Sequence, residues 1–450
     1  MDEINKKIAN KIEINLIKFP KIPKKVYLIL GAVVLIGAIF FGGYISGKYF
    51  EKKTNLAGLK GDIYTKFTAE IYDKIQENYW EKISDKDLSS LYKAGVEKIS
   101  GIPQVLKSQN KEGVLKLIEK TLKNKDAQKK KEFVARLGDI VLANLKPFGV
   151  SRLYTPKQEK ELSQKVSNID TSVNLYEALG IDKNASQKEL EKAYQGKVSV
   201  LSKEKTPEAE EKLSQINRAY ETLSNPEQRK TYDESGVEST VVSKLVRPDI
   251  FYIQVKRISP STPEEFQKTV NSTNGEQNLN SLILDLRANI GGSVDILPTF
   301  LGFFLGQNQA AFEFFRQGEY IPFRTITEKS PALTKFKKIV VLIDGETQSS
   351  AEIIAASLKK YNIGITLGEK TKGWGTIKRV FDLDTQIDPN EKYSMFLAHS
   401  LVLRDDSQPM EGKGVEPVIN INEASWQKEL FSYFNSNQLV EAVKEILNQK

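Results

Sequence analysis

The chain has 450 residues, of which 40% are hydrophobic and 28% charged, so it is long enough for several globular domains. Its formal net charge is +8, but acidic and basic residues alternate, as in residues 123–132, and such runs are typical of solvated helix faces rather than nucleic-acid sites. The absence of cysteine excludes disulfides, thiolate metal sites and cysteine nucleophiles. The single histidine, His399, argues against a histidine metal cluster and a Ser-His-Asp triad, and we expect it to be a satisfied strand residue. We expect no cofactor and no bound metal.

The first distinct segment is apolar. Residues 26–47 contain no charge over 22 residues, which is long enough to cross a membrane core of about 30 Å. A buried core helix and a cleaved signal peptide are the alternatives; the segment is apolar on every face, and it lacks an Ala-x-Ala cleavage site. Residues 1–25 carry seven lysines and residues 48–67 carry five, which favours a cytoplasmic N-terminus. The sequence therefore predicts a basic cytoplasmic tail (1–25), a transmembrane anchor (26–47) and an extracytoplasmic body.

Two helical regions follow the apolar segment. Residues 48–170 show apolar positions at helical spacing, for example from Ile63 to Tyr79, until prolines and glycines interrupt the pattern near residues 147–156. The second region, residues 174–238, begins one helix with the capping box Ser186-x-x-Glu189 and the next with Thr206-Pro207.

The pattern changes to strands alternating with helices in residues 239–450. Short β-branched apolar runs near residues 250–257, 281–288, 338–345 and 363–369 are separated by helical stretches. This alternation predicts an α/β sheet flanked by helices.

Residues 174–236 resemble a J domain over its whole length, from NLYEALGIDKNASQKELEKAYQGK to INRAYETLSNPEQRKTYDESG. J domains stimulate DnaK-type chaperones through a His-Pro-Asp tripeptide in the loop after their second helix. At that position this chain has Ser202-Lys203-Glu204, so the imidazole and the proline are both missing. The preferred interpretation is a spacer or protein-docking module, and a J-domain co-chaperone is the alternative.

Residues 62–165 and 245–422 resemble the C-terminal processing (tail-specific) serine peptidases. The resemblance is carried by SLILDLRANIGGSVD, VVLIDGETQSSAEIIAASLKKYN, LGEKTKGWGT and EGKGVEPVINI. It implies an α/β peptidase core of the ClpP-crotonase-like type with an N-terminal helical segment. In that family a PDZ domain usually interrupts the two parts and presents the substrate C-terminus. Here the J-like region occupies that place and shows no PDZ signature.

The same resemblance assigns catalytic positions. Ser349 stands at the nucleophile position, and Gly291 or Gly292 would supply a backbone N–H to the oxyanion. Ser349-x-x-Glu352 is also a capping box, so a purely structural role for the serine is the competing interpretation.

The base of these peptidases is a lysine held neutral by burial, so that its pKa falls from about 10.4 toward the working range. The family pattern places it between two glycines, 25 residues after the serine, and that position is Trp374. Indole has one N–H donor and no basic lone pair, so it cannot deprotonate Ser349. An assisting glutamine four residues further on is replaced by Lys378.

These losses favour a membrane-anchored, catalytically inactive peptidase homologue that binds an extended peptide or a protein partner. The peptide would add as a strand, with Trp374 as an apolar contact. The alternative is an active serine endopeptidase in which Lys378, Lys372 or Lys370 has become the base. Four strand residues span about 13 Å, so Lys378 could reach Ser349 only if the chain bends back.

Overall fold

A computed structural model of the chain describes residues 62–166, 174–204, 206–404 and 406–448. The predicted tail and anchor, residues 1–25 and 26–47, lie outside this part of the chain. Within the described part, no helix combines the length and apolar character that spanning a membrane requires.

The helical N-terminal segment forms as predicted. It comprises α1 (Ile63–Asn78), α2 (Asp85–Ser100), α3 (Lys111–Leu122) and α4 (Ala127–Ala143), followed by β1 (Arg152–Tyr154) and α5 (Pro156–Val166). The side chains of Asp62, Ser84, Asn110 and Asp126 accept hydrogen bonds at the starts of the four helices. Their apolar faces pack against Met395, Leu397 and Ala398 of the C-terminal half, so the two parts share one core.

The J-like region is a separate helical cluster with its own small core. Its helices are α6 (Leu175–Leu179), α7 (Gln187–Leu201), α8 (Pro207–Ser224) and α9 (Pro226–Ser235). The predicted capping box is present at the start of α7, where the Ser186 hydroxyl accepts the Glu189 N–H and the Glu189 carboxylate accepts the Ser186 N–H. An ion pair between Lys256 and Glu221 (2.7 Å) joins α8 to the peptidase-like core.

The remaining residues form two sheets rather than the single sheet predicted. The parallel sheet has the order β11-β8-β7-β4-β3-β2, in which only β2 runs antiparallel to its neighbour. Its strands are β2 (Val241–Arg247), β3 (Ile250–Val255), β4 (Ser281–Asp285), β7 (Lys338–Ile343), β8 (Ile365–Gly368) and β11 (Ile419–Asn420). Its four predicted strands are confirmed, and they are buried on both faces as parallel strands usually are.

The antiparallel sheet has the order β1-β10-β5-β6, with β9 paired to the other side of β10. It contains β5 (Ala310–Arg316), β6 (Glu319–Arg324), β9 (Thr376–Asp382) and β10 (Ser394–Leu403). The helices of this half are α10 (Thr262–Asn271), α11 (Leu297–Leu305), α12 (Ser350–Lys360), α13 (Trp426–Phe434) and α14 (Asn437–Asn448), with a short 3₁₀ turn at Pro331–Leu333. The largest core lies between the two sheets around α10, α11 and α12, and it fixes the start of α12 at the carboxyl end of β7.

Candidate active site

Ser349 lies at the sharp turn between β7 and α12. Its backbone has φ 53° and ψ −121°, a conformation that a residue with a side chain rarely adopts and that costs of order 1–3 kcal/mol. The surrounding loop holds it there, because the Gln348 N–H donates to the Asn289 carbonyl oxygen (2.8 Å) and the Lys372 N–H donates to the Thr347 carbonyl oxygen (3.1 Å). The serine therefore stands at the N-terminus of α12 in a strained turn, where the helix dipole favours negative charge.

The carboxylate of Glu352 connects this turn to the loop that contains Trp374. Glu352 is fully buried, and its Oε2 accepts the Ser349 N–H (2.8 Å) and the Trp374 N–H (2.7 Å). Its Oε1 accepts the Gly373 N–H (2.8 Å) and the Thr371 hydroxyl (2.5 Å). Of the predicted capping box between Ser349 and Glu352, the bond from the Ser349 N–H to the carboxylate is present, whereas the Glu352 N–H donates to the Ser349 carbonyl oxygen (2.9 Å) rather than to the hydroxyl. The glutamate also joins two segments of the site. The backbones of Ser349 and Trp374 therefore lie close together, as the family resemblance implies for a nucleophile and its base.

The glycines before and after Trp374 are packed tightly against the following loop. A Cβ on Gly373 would lie 3.0 Å from the Gly414 nitrogen, and a Cβ on Gly375 would lie 2.6 Å from the Glu411 nitrogen. Trp374 between them is 50% exposed, so the indole is not buried as a plug in the position of the base. A half-exposed ring at this position is accessible to a ligand, as the expected apolar contact with a peptide requires.

The three lysines proposed as substitute bases have other partners. Lys370 forms an ion pair with Glu416 (2.8 Å), and Lys372 forms one with Glu346 (3.2 Å). The Lys378 ammonium lies 5.8 Å from the centre of the Trp374 ring, in a cation–π contact. In this arrangement Lys370 and Lys372 are held by carboxylates other than Glu352 and are not seen in contact with Ser349 among the described residues.

The glycine pair predicted to form the oxyanion site lies beside Ser349. A Cβ on Gly291 would approach the Ser349 Cβ to 2.8 Å and the Ser350 nitrogen to 2.9 Å. The Gly291 N–H donates to the Asn289 side chain (2.8 Å) and is therefore engaged. Among the described residues, the N–H groups of Gly292 and Ser350 have no acceptor, and these two are the amides left for an oxyanion.

Asn289 was missed at the sequence level. Its side-chain oxygen accepts the Gly291 N–H, and its side-chain nitrogen donates to the Val255 carbonyl oxygen (2.6 Å), so it fixes the glycine turn to β3. The Ser350 hydroxyl adds a bond to the Gly292 carbonyl oxygen (3.0 Å). No spacing pattern marks an asparagine in such a turn as a positioning residue.

His399 has a structural role, as the sequence suggested. The Arg316 guanidinium donates to His399 Nε2 (2.9 Å), which requires the other ring nitrogen to carry the proton and to donate to the Ser400 hydroxyl (2.7 Å). Burial, followed by the charges of Arg379 and Arg316, lowers the pKa of His399 to about 3. The histidine is therefore neutral and bonded within β10.

The J-like loop residues Ser202, Lys203 and Glu204 are exposed and follow α7 directly. The N–H groups of Lys203 and Glu204 donate to the carbonyl oxygens of Val200 and Leu201, so the loop continues the last turn of the helix. The position that carries the tripeptide in J domains is accessible here, but it has neither an imidazole nor a proline.

Comparison with protein families supports both resemblances. Residues 249–421 match the model of peptidase family S41, and residues 174–233 match the DnaJ domain. The curated relatives match through the second region: the chaperone protein DnaJ 2 of Aquifex aeolicus is 48% identical over 68 residues, which cover 15% of this chain and 18% of the relative. The chaperone protein DnaJ of Clostridioides difficile is 44% identical over 71 residues, 15% of this chain and 18% of the relative. This chain thus spans less than a fifth of the length of these relatives.

Solved structures align over most of the chain at low identity. A photosystem II D1 C-terminal processing protease aligns with 81% of this chain and 94% of its own, at 13% identity and a TM-score of 0.46. A lipoprotein from Streptococcus agalactiae aligns with 84% of this chain and 98% of its own, at 15% identity and a TM-score of 0.41.

The family matches define the class of two regions of this chain. Residues 249–421, in the α/β part, match peptidase family S41, and the all-helical residues 174–233, which precede them, match the DnaJ domain.

Proposed function

We propose that this chain is a catalytically inactive, tail-specific peptidase homologue that binds an extended peptide or protein segment at the former catalytic crevice. One observation carries the proposal: the Glu352 oxygen that accepts the Ser349 N–H also accepts the Trp374 N–H. A side chain without a basic atom therefore stands at the position that the family resemblance assigns to the base. General-base loss typically lowers the rate by about 10²–10⁴. The strained serine turn persists beside it, which supports a crevice kept for binding.

Trp374 would contribute most of the apolar contact to a bound peptide. Its indole is half exposed and its backbone N–H shares a carboxylate oxygen with that of Ser349, and the loss of a large aromatic contact typically costs about 1–3 kcal/mol of binding. Ser349 would contribute little, since its hydroxyl has no base to activate it.

The direct test is peptide binding, measured by fluorescence anisotropy with the full-length chain. Trp374→Ala should weaken binding about tenfold, whereas Ser349→Ala should leave it within about twofold. Tyr433→Ala is the matched control, because this tyrosine is 55% exposed on α13, away from the crevice. Equal binding by wild type and Trp374→Ala would contradict the assignment of the binding site.

An active endopeptidase is the first alternative. Lys378 is the substitute base that could serve it, because its ammonium lies 5.8 Å from the centre of the Trp374 ring, at the position assigned to the base. Loss of cleavage in Lys378→Met but not in Lys372→Met would support this alternative.

A J-domain co-chaperone is the second alternative, and it is supported by the match of residues 174–233 to the DnaJ domain. Against it stands the replacement of the whole tripeptide by Ser202-Lys203-Glu204. We propose that this domain docks a partner or covers the crevice in place of a PDZ domain.

Membrane anchoring through residues 26–47, with the body outside the cytoplasm, is part of the proposal. It is supported by the 22 uncharged residues and by the seven lysines of residues 1–25. Protease added to intact cells should degrade the body, and it should do so only after lysis if the orientation is reversed.

A further inference from the structure

The strand β9 begins two residues after Trp374 and has an open edge. It pairs with β10 along one side, and no other strand of the described residues pairs with it. Lys378 and Arg379 are exposed on this strand, and Val380 is partly so. In an edge strand every second residue directs its N–H and C=O outward, so this edge can pair with an added extended chain.

The two faces of β9 differ in the side chains that they present. On one face Lys378 contacts the Trp374 ring. On the other face Phe381 stacks on His399, with ring centres 6.1 Å apart and planes inclined by 30°, and Arg379 shares that face because it is two residues away. An added strand would direct its own side chains alternately toward Lys378 and toward Arg379.

The exposed charged residues of β9 itself are Lys378, Arg379 and Asp382, two positive and one negative. Neither Arg379 nor Arg316 forms an ion pair with another residue in the described part of the chain, and His399 between them is neutral. Acidic groups near the strand include Asp382 at its end, Glu411, which accepts the Thr376 hydroxyl (2.7 Å), and Glu159, which accepts the hydroxyl of Ser394 opposite Asp382 (2.8 Å). The Arg379 guanidinium on the strand has no carboxylate partner among the described residues, and such a group favours an anionic ligand.

We infer that the open edge of β9 binds an extended acidic peptide segment, with carboxylates on alternating sides directed to Lys378 and Arg379 and an apolar residue on Trp374. This inference rests on the proposed function, and it adds the chemical class of the peptide. The competing explanation is that Lys378 and Arg379 protect the edge from self-association, as charged residues on edge strands often do.

The test compares three labelled peptides of one alternating pattern, in which the polar positions are glutamate, serine or lysine. Each is titrated by anisotropy into the full-length wild-type chain and into Lys378→Glu/Arg379→Glu. The matched control is Lys428→Glu/Lys444→Glu, which makes the same change in net charge on α13 and α14, helices that pack on the parallel sheet. Circular dichroism and sedimentation record the folding and self-association of each variant.

The glutamate peptide should bind wild type about fivefold to tenfold more tightly than the serine peptide at low salt, and the preference should shrink as salt rises. The charge reversal at β9 should abolish this preference and favour the lysine peptide, while the control reversal should retain it. If wild type binds all three peptides equally and Trp374→Ala binds them more weakly, the acidic preference is overturned and the proposed function stands. Binding of none would contradict the proposed function itself. An unchanged preference in the β9 variant together with new self-association would assign the two charges to edge protection.

Discussion

Ser349 and Trp374 donate their backbone N–H groups to the same oxygen atom, Oε2 of Glu352. The two residues are 25 positions apart in sequence, but their nitrogens lie within two hydrogen-bond lengths of each other in space. The position to which the family resemblance assigns the base is therefore held by a bond to a buried carboxylate, and its placement does not depend on an alignment of glycines alone.

Glu352→Gln should destabilise the fold. An amide offers one oxygen where the carboxylate accepts four hydrogen bonds, and its NH₂ group would face N–H donors. We expect a loss of roughly 2–4 kcal/mol in the free energy of unfolding, measured by urea denaturation. Glu346→Gln is the control, since Glu346 is exposed and pairs with Lys372 at the surface, and it should cost less than about 0.5 kcal/mol. Equal effects of the two substitutions would show that the buried carboxylate does not hold the site together.

Gly291→Ala should disturb the serine turn directly. Gly291 has φ 83°, and an added methyl group would lie 2.8 Å from the Gln348 carbonyl oxygen. We expect a loss of about 2 kcal/mol or more in thermal or urea unfolding. Gly275→Ala, where the added methyl meets no atom within 4 Å, should change stability by only a few tenths of that amount. A Gly291→Ala variant as stable as the control would mean that the turn relaxes freely.

The neutral His399 predicts a dependence of stability on pH. Its pKa is about 3 in the folded chain and about 6.5 when unfolded, so the unfolded state binds the extra proton between these values. The free energy of unfolding should therefore fall as pH decreases from about 6.5 toward 3. The loss caused by His399 should reach roughly 3 kcal/mol at pH 4. His399→Gln should flatten this part of the urea-derived stability curve. A wild-type curve and a variant curve of equal slope would show that the histidine is not held neutral.

The J-like loop predicts no stimulation of a DnaK-type ATPase by the wild-type chain. Restoring the tripeptide with Ser202→His, Lys203→Pro and Glu204→Asp should produce stimulation if the helices α6 to α9 retain the docking surface. Stimulation by the unaltered chain would support the co-chaperone alternative.

Several parts of the fold could be predicted because their signal is local. The strands β3, β4, β7 and β8 are continuous apolar runs, as expected for strands buried on both faces. The helix α7 begins at the capping box that its sequence contains. In these elements the residue types alone decide the local structure.

The antiparallel sheet could not be predicted in the same way. β9 has exposed polar residues where a buried strand has apolar ones, and it is stabilised by pairing with β10. β10 in turn pairs with β1, which comes from the N-terminal segment more than 200 residues earlier. Pairing between distant segments leaves little local signal.

The resemblance assigned positions to the site but could not give their contacts. It assigned Ser349, Trp374 and the glycine pair, and only the structure shows that Glu352 joins the two loops and that Asn289 engages the Gly291 N–H. Hydrogen bonds between loops depend on tertiary geometry, and no residue pattern records them.

The most direct measurement is cleavage of an unstructured protein by the full-length chain beside its Ser349→Ala and Trp374→Lys variants. We predict that wild type and Ser349→Ala are both inert and that Trp374→Lys gains activity, because the serine turn and the adjacent amides are already in place. Cleavage by wild type that disappears in Ser349→Ala would contradict the central claim and would show that another residue acts as the base.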